Sequence, residues 1–158
     1  LWAFIYERRI MPSIIRDSNF VPVQANGAFT EKKAVTYTAT GEGSVAAHTI
    51  YTVTGDVLVS VFGVCNTNLD SGGVATIEVG IAGNTAVLIA QTTATDIDDG
   101  EVWIDNAPAT VEAVPASSVL NDGTDIIATV GTATITAGQI DFYCLWRPLE
   151  SGASVVAA

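Results

Sequence analysis

Apolar and polar residues alternate with a period of two along most of this chain, and the longest example runs over residues 125–147, DIIATVGTATITAGQIDFYCLWR. Within it Ile140, Phe142, Cys144 and Trp146 fall on one face of an extended backbone, while Asp141, Tyr143 and Arg147 fall on the other. A helix would scatter these residues around its circumference, so the segment reads as half-buried β-strand. The same pattern recurs upstream. Residues 34–40 place Val35, Tyr37 and Ala39 on one face and three threonines on the other, and residues 45–54 form a longer strand. Gly55-Asp56 then separates that strand by two residues from 57–65, a spacing that predicts an antiparallel hairpin.

Further strands are expected at 74–81, 86–90, 101–104, 110–114, 118–120, 125–130, 132–136 and 139–147. Turns are expected at Gly83-Asn84 and Ala137-Gly138, and Pro148 ends the last strand because it has no amide to donate to a ladder. No amphipathic helix of useful length and no fixed repeat is visible. The expected fold is therefore all-β, a jelly-roll-like antiparallel β-sandwich, with a Greek-key sandwich as the second topology. Residues 12–33 contain Pro12, Pro22 and Asn26-Gly27 with no sustained period. They read as part of an extended N-terminal arm over 1–33, ahead of a sandwich over 34–150 and a short tail over 151–158.

At 158 residues the chain suits one domain, which at this size buries roughly 70% of the surface its unfolded form exposes. The hydrophobic fraction is 49%, yet no apolar run approaches the ~18 to 20 residues of a membrane-spanning helix. So much Ala, Val and Ile in short alternating segments favours an outer face covered by another subunit. Small Ala and Thr side chains alone would also give that composition. Charge is divided unevenly: residues 1–33 carry net +2 and residues 34–158 net −13, for a total of −11. An acidic body with so few bases is a poor ligand for nucleic acid, which needs clustered Lys and Arg. Its basic arm is suited to reach a neighbouring acidic subunit.

Met11 is the only methionine and LWAFIYERRI puts its apolar run ahead of its basic residues, the reverse of a secretory signal. The expectation is that residues 1–10 are not part of the native protein, and that synthesis is cytoplasmic. Cys65 and Cys144 fit a reducing compartment, although a disulfide is open to them if their strands are neighbours.

Candidate chemistry is sparse. One histidine, His48, lies within a predicted strand, too little for a Ser-His or Cys-His constellation. Cys144 alternates with Phe142 and Trp146 and reads as a small hydrophobe. Two distant cysteines and one histidine give no zinc spacing. The acidic stretch Asp96, Asp98, Asp99, Glu101 and Asp105 offers oxygen ligands but lacks the twelve-residue calcium-loop pattern. Pairing it with Glu78 or Glu112 for glycoside hydrolysis has no support beyond abundance of acids. No phosphate-cradling glycine motif occurs. No catalytic residue, cofactor or metal is therefore expected. Trp103 and Tyr143 could offer sugar-stacking surfaces, which keeps open a tail, fibre or adhesin module that binds cell-surface glycans through loops around Trp103 and Asp98.

Three segments, TGDVLVSVFGVCNT, ATIEVGIAGNTAVLIAQTTATDIDDGEVWID and GTDIIATVGTATITAGQIDFYCLWRPL, resemble small virion structural proteins of tailed bacteriophages and prophages. The resemblance covers about 34–150 and rests on strands and turns rather than a catalytic signature. It implies a β-sandwich capsid decoration or auxiliary protein, non-enzymatic, bound to the major capsid protein on the head surface as a homo-oligomer, with a trimer in view. On that reading Arg16, Phe20, Lys32 and Lys33 of the arm are the expected capsid or subunit contacts.

Overall fold

The computed structural model describes residues 15–16, 22–23 and 29–158. Two short strands, β1 (Ile15–Arg16) and β2 (Pro22–Val23), pair antiparallel with each other. The remaining strands are β3 (Phe29–Thr36), β4 (Ala47–Thr54), β5 (Val57–Ser71), β6 (Thr76–Ile81), β7 (Asn84–Thr93), β8 (Val102–Trp103), β9 (Ser118–Leu120), β10 (Ile126–Gly131), β11 (Ile135–Pro148) and β12 (Ser154–Ala157). One 3-10 turn, Ala94–Asp96, follows β7.

These strands form two antiparallel sheets. One has the order β12-β4-β10-β6-β7, and the other β3-β11-β5-β8 with β9 also paired to β5. Their inward faces supply a single core, so the fold is an all-β antiparallel sandwich, as the alternation predicts. Long β11 is the spine of the second sheet, because it pairs along its length with both β3 and β5. Ile140, Phe142 and Cys144 on its inner face are completely buried, and Trp146 nearly so. Each such apolar side chain contributes about 1.5–3 kcal/mol when removed from water. A one-residue slip would turn all four outward, which fixes the register.

The chain passes repeatedly from one sheet to the other: β3, β4 and β5 alternate, and so do β10, β11 and β12. This corrects the hairpin expected at Gly55-Asp56, since β4 and β5 lie in different sheets. The link is a corner, and carboxylates take the amides that a ladder would have paired. The Gly55 amide donates to Asp122 Oδ1 at 2.7 Å and the Asp56 amide to Glu150 Oε1 at 3.0 Å. The expected turn at Ala137-Gly138 is likewise a bulge inside continuous β11. Gly138 adopts φ +114° there, and a Cβ on it would lie 2.6 Å from the Asn68 carbonyl oxygen. The turn at Gly83-Asn84 does form a hairpin, joining β6 to β7.

Two boundaries also move. β3 starts at Phe29, not at 34, and β12 lies in the segment expected to be a tail. No strand forms over 110–114, where the chain is irregular apart from a bridge between Ala109 and Val102.

Candidate interaction surface

Lys32 and Lys33, expected in an arm, belong to edge strand β3, where they sit opposite Tyr143 and Phe142 of β11. Adjacent strand residues point to opposite faces, so the two lysines do different work. Lys32 points outward, with its ammonium 2.6 Å from Asp141 Oδ2 and 5.5 Å from the centre of the Tyr143 ring. Burial, the largest single influence, would raise the Asp141 carboxyl, but hydrogen bonds from Lys32, Asn66 and Gln139 together with the Lys32 charge outweigh it and hold the carboxyl below its usual range. Asp141 in turn raises the Lys32 ammonium above its ordinary value. Lys33 turns toward the other sheet, where its Nζ donates to the carbonyl oxygen of Ala158, just past β12. Arg16 lies in β1 opposite Pro22, and Phe20 falls outside the described residues. Of the four expected contact residues, the structure thus places Lys32 and Lys33 side by side and gives both an intramolecular partner.

The acidic residues are mostly occupied at chain corners. Asp122, Asp125 and Glu150 accept amides from the end of β4 and the corner after it, and Asp56 accepts the amide of Asp122. In the acidic stretch after β7, Glu101 accepts the Asp98 amide at 2.9 Å and the Gly100 amide donates to the Cys65 carbonyl. Loop carboxylates here satisfy backbone donors that would otherwise lack partners. Among the described residues no group of three or more His, Cys, Asp or Glu side chains is placed to hold a metal ion.

His48 is half-buried, with Nδ1 3.3 Å from Glu42 Oε2 and Nε2 3.0 Å from the Ser44 carbonyl oxygen. Ser44 Oγ lies 3.4 Å from the same Nε2, so Ser44, His48 and Glu42 are brought together at the start of β4. Cys65 and Cys144 are buried free thiols. Their strands are neighbours, but Cys65 lies opposite Ile140, four residues from Cys144. That offset is about 13 Å along the strand, far beyond disulfide reach. Trp103 is completely buried, donating to Thr92 Oγ1 at 2.8 Å and packing edge-on to Phe142. It is a core residue with no face open to a sugar.

What sequence reasoning missed is the outer face of the second sheet. Cross-strand rows there join Arg147 to Leu58 and Val119, Leu145 to Ser60, and Tyr143 to Phe62 and Lys32. The Phe62 and Tyr143 rings stack at 5.3 Å. Beside them a cleft of about 150 Å³ is lined by Phe62, Val102, Ile104, Val114, Pro115 and Glu112. The chain between β8 and β9 builds its wall, pinned by Ser60 Oγ donating to the Pro115 carbonyl at 3.1 Å. The sequence signal was the run Val111 to Val119, rich in valine and alanine with no base.

The fold and this face define the molecule as an antiparallel β-sandwich with one partly apolar outer surface. Among solved structures it is similar to a chain of the acidic stable capsid structure of Helicobacter pylori bacteriophage KHP30, with a TM-score of 0.54 and 10% identity. The match covers 83% of this chain and 94% of that one, so the likeness spans the sandwich as a whole. No family model matches the chain, and no curated protein does.

Proposed function

We propose that this protein is a non-enzymatic structural component of a bacteriophage virion, made in the host cytoplasm, that decorates the head as a homo-oligomer bound to the major capsid protein. The observation that carries the reading is the likeness, over 83% of this chain and 94% of the other, to a chain of a phage capsid structure. A jelly-roll assignment is supported by the way consecutive strands β3–β5 and β10–β12 alternate between sheets. Cementing requires a rigid body that makes many modest contacts at once, and a sandwich with a fixed register and a continuous core suits that role.

Lys32, Lys33, Arg16 and Phe20 remain the proposed capsid or subunit contacts. Charge at β3 is then shared between holding the edge strand and meeting a partner. The glycan-binding alternative loses Trp103 to the core and keeps Tyr143, stacked with Phe62 on the outer face. Co-sedimentation of the purified protein with empty capsids of the phage or prophage that carries it tests the proposal. A saturable, stoichiometric pellet is expected. Protein left in the supernatant at every capsid concentration would overturn it.

A further inference from the structure

The two outer faces of the sandwich differ in chemistry. On the five-stranded sheet the outward positions mix Thr52, Thr54 and Glu78 with the isolated aliphatic side chains Ile127, Val87 and Val156, and none of them is aromatic. On the other sheet the outward rows present Leu58, Phe62, Tyr143 and Leu145, all partly buried, with Val119 and Val114 more than half exposed at the margin. Contiguous apolar area of this kind on one face marks a contact surface.

Charge follows the same division. Residues 29–158 contain 15 Asp and Glu against three bases, Lys32, Lys33 and Arg147. Lys32 and Arg147 both project from the apolar face. Across the rows from Leu58 to Val64, Asp141 is the only carboxylate, and Lys32 occupies it. Arg147 is exposed and makes no ion pair with the described residues. With Glu112 in the wall of the cleft, the face balances Lys32 and Arg147 against two carboxylates and is near neutral on an otherwise acidic molecule. Its complement is a surface that offers carboxylates and apolar side chains, and outside this face the chain has both, with Val45, Val74 and Asp70 exposed.

We propose that the outer face of the β3-β11-β5-β8 sheet is a contact face for a second copy of this chain, with Arg147 meeting a carboxylate of that copy and the cleft beside Phe62 receiving one of its apolar side chains. The inference rests on the oligomeric part of the function proposed above and deepens it by naming the surface. Charge complementarity selects the partner, because two acidic surfaces would repel each other whereas this pairing brings exposed Arg147 to an acidic surface.

The test is the solution mass of the full chain by sedimentation equilibrium, for wild type, Arg147→Glu, Val114→Asp and, as control on the opposite sheet, Val156→Asp, which replaces a side chain 55% exposed. Wild type is expected at a multiple of 16.4 kDa. Arg147→Glu and Val114→Asp should raise the dissociation constant by about tenfold or more, with Arg147→Glu also flattening its salt dependence. Val156→Asp should leave it unchanged. A monomeric wild type, two face variants of wild-type mass, or equal dissociation by the control would each overturn the inference. Capsid co-sedimentation is measured on the same samples. Face variants that keep their mass but lose capsids would assign the face to the capsid, ending this inference while sparing the decoration reading. Oligomers that dissociate as expected but never bind capsids would end the decoration reading alone.

Discussion

The Tyr51 hydroxyl donates a 2.7 Å hydrogen bond to the carbonyl oxygen of Phe142, tying β4 of one sheet to β11 of the other across the buried interior. The same hydroxyl lies 3.2 Å from the Glu31 carbonyl oxygen on β3, so one side chain reaches three strands of the sandwich. Burial raises the Tyr51 hydroxyl far above its ordinary pKa, which keeps it a neutral donor throughout the range in which the protein folds. Tyr51→Phe removes the donor and strands a buried acceptor. A loss of about 1–3 kcal/mol is expected in urea unfolding, with the slope unchanged. A midpoint equal to wild type would show that the cross-sheet bond adds nothing.

Gly138 gives a second measure of how tightly the spine is built. Its φ is positive, and atoms of Asn68 and Leu69 lie within 2.8 Å of the point a Cβ would occupy, which leaves no room for alanine without moving β5. Gly83 at the β6–β7 hairpin also has positive φ, but nothing lies within 4 Å of its Cβ position. Gly83→Ala should cost only the left-handed conformation, about 1–2 kcal/mol. Gly138→Ala should cost more, because the steric clash adds to that term. Thermal unfolding of the two variants side by side decides this, and equal losses would mean the bulge relaxes freely.

Much of the sandwich was legible because its strands are half-buried. The alternation of Ile140, Phe142, Cys144 and Trp146 against Tyr143 and Arg147 states both the strand and its buried face. What pattern could not state is which sheet a strand joins. A two-residue link such as Gly55-Asp56 serves equally as hairpin or corner, and the choice depends on Asp122 and Glu150, distant carboxylates that cap its amides. β3 was hidden because Glu31 and Lys33 occupy the inward side of an edge strand, a position where charge blunts edge-to-edge pairing but erases the apolar signal. The apolar outer face was hidden for the opposite reason. Leu58 and Leu145 look like further core residues until the ladder places them outside.

Both thiols should be chemically silent in the native protein. Burial pushes the Cys144 thiol up to about 12 and raises Cys65 as well, so neither supplies appreciable thiolate at neutral pH. A thiol-specific disulfide reagent should therefore label neither residue at pH 7 in buffer and both in denaturant. Their offset in the ladder also predicts identical mobility with and without reductant. Prompt labelling of the folded protein would contradict the burial of both strands.

The Lys32–Asp141 pair gives stability a defined pH dependence. Because the folded state holds the Asp141 carboxyl below its ordinary value, its stabilising effect is present above the unfolded aspartate pKa of about 3.9. It fades as pH falls through the lower folded value. Lys32 is raised instead, so its effect is full below the ordinary lysine value and is lost as pH climbs through the folded one. Urea midpoints of Asp141→Asn should fall less steeply than wild type on the acid limb. Parallel acid limbs would remove this pair from the cause of acid unfolding.

Lys33 and Ala158 join the outer strands of opposing sheets, since β3 edges one sheet and β12 edges the other. β12 is only four residues long and pairs with β4 alone, so its protection depends on what else holds it. Its Val155 side chain is buried and Ala157 packs against the core while Val156 is exposed, and the Ala158 amide donates to the Ile50 carbonyl, so the lysine tie supplements a short but anchored strand. Lys33→Met keeps the aliphatic stem but deletes the donor. Loss of an exposed hydrogen bond worth about 0.5–1.5 kcal/mol should speed amide exchange of 155–157 by roughly two- to tenfold. The amides of β11 should hold their wild-type rates, because the β3–β11 ladder does not use the side chain. If β12 exchanges no faster in the variant, its own packing and pairing hold it without the lysine.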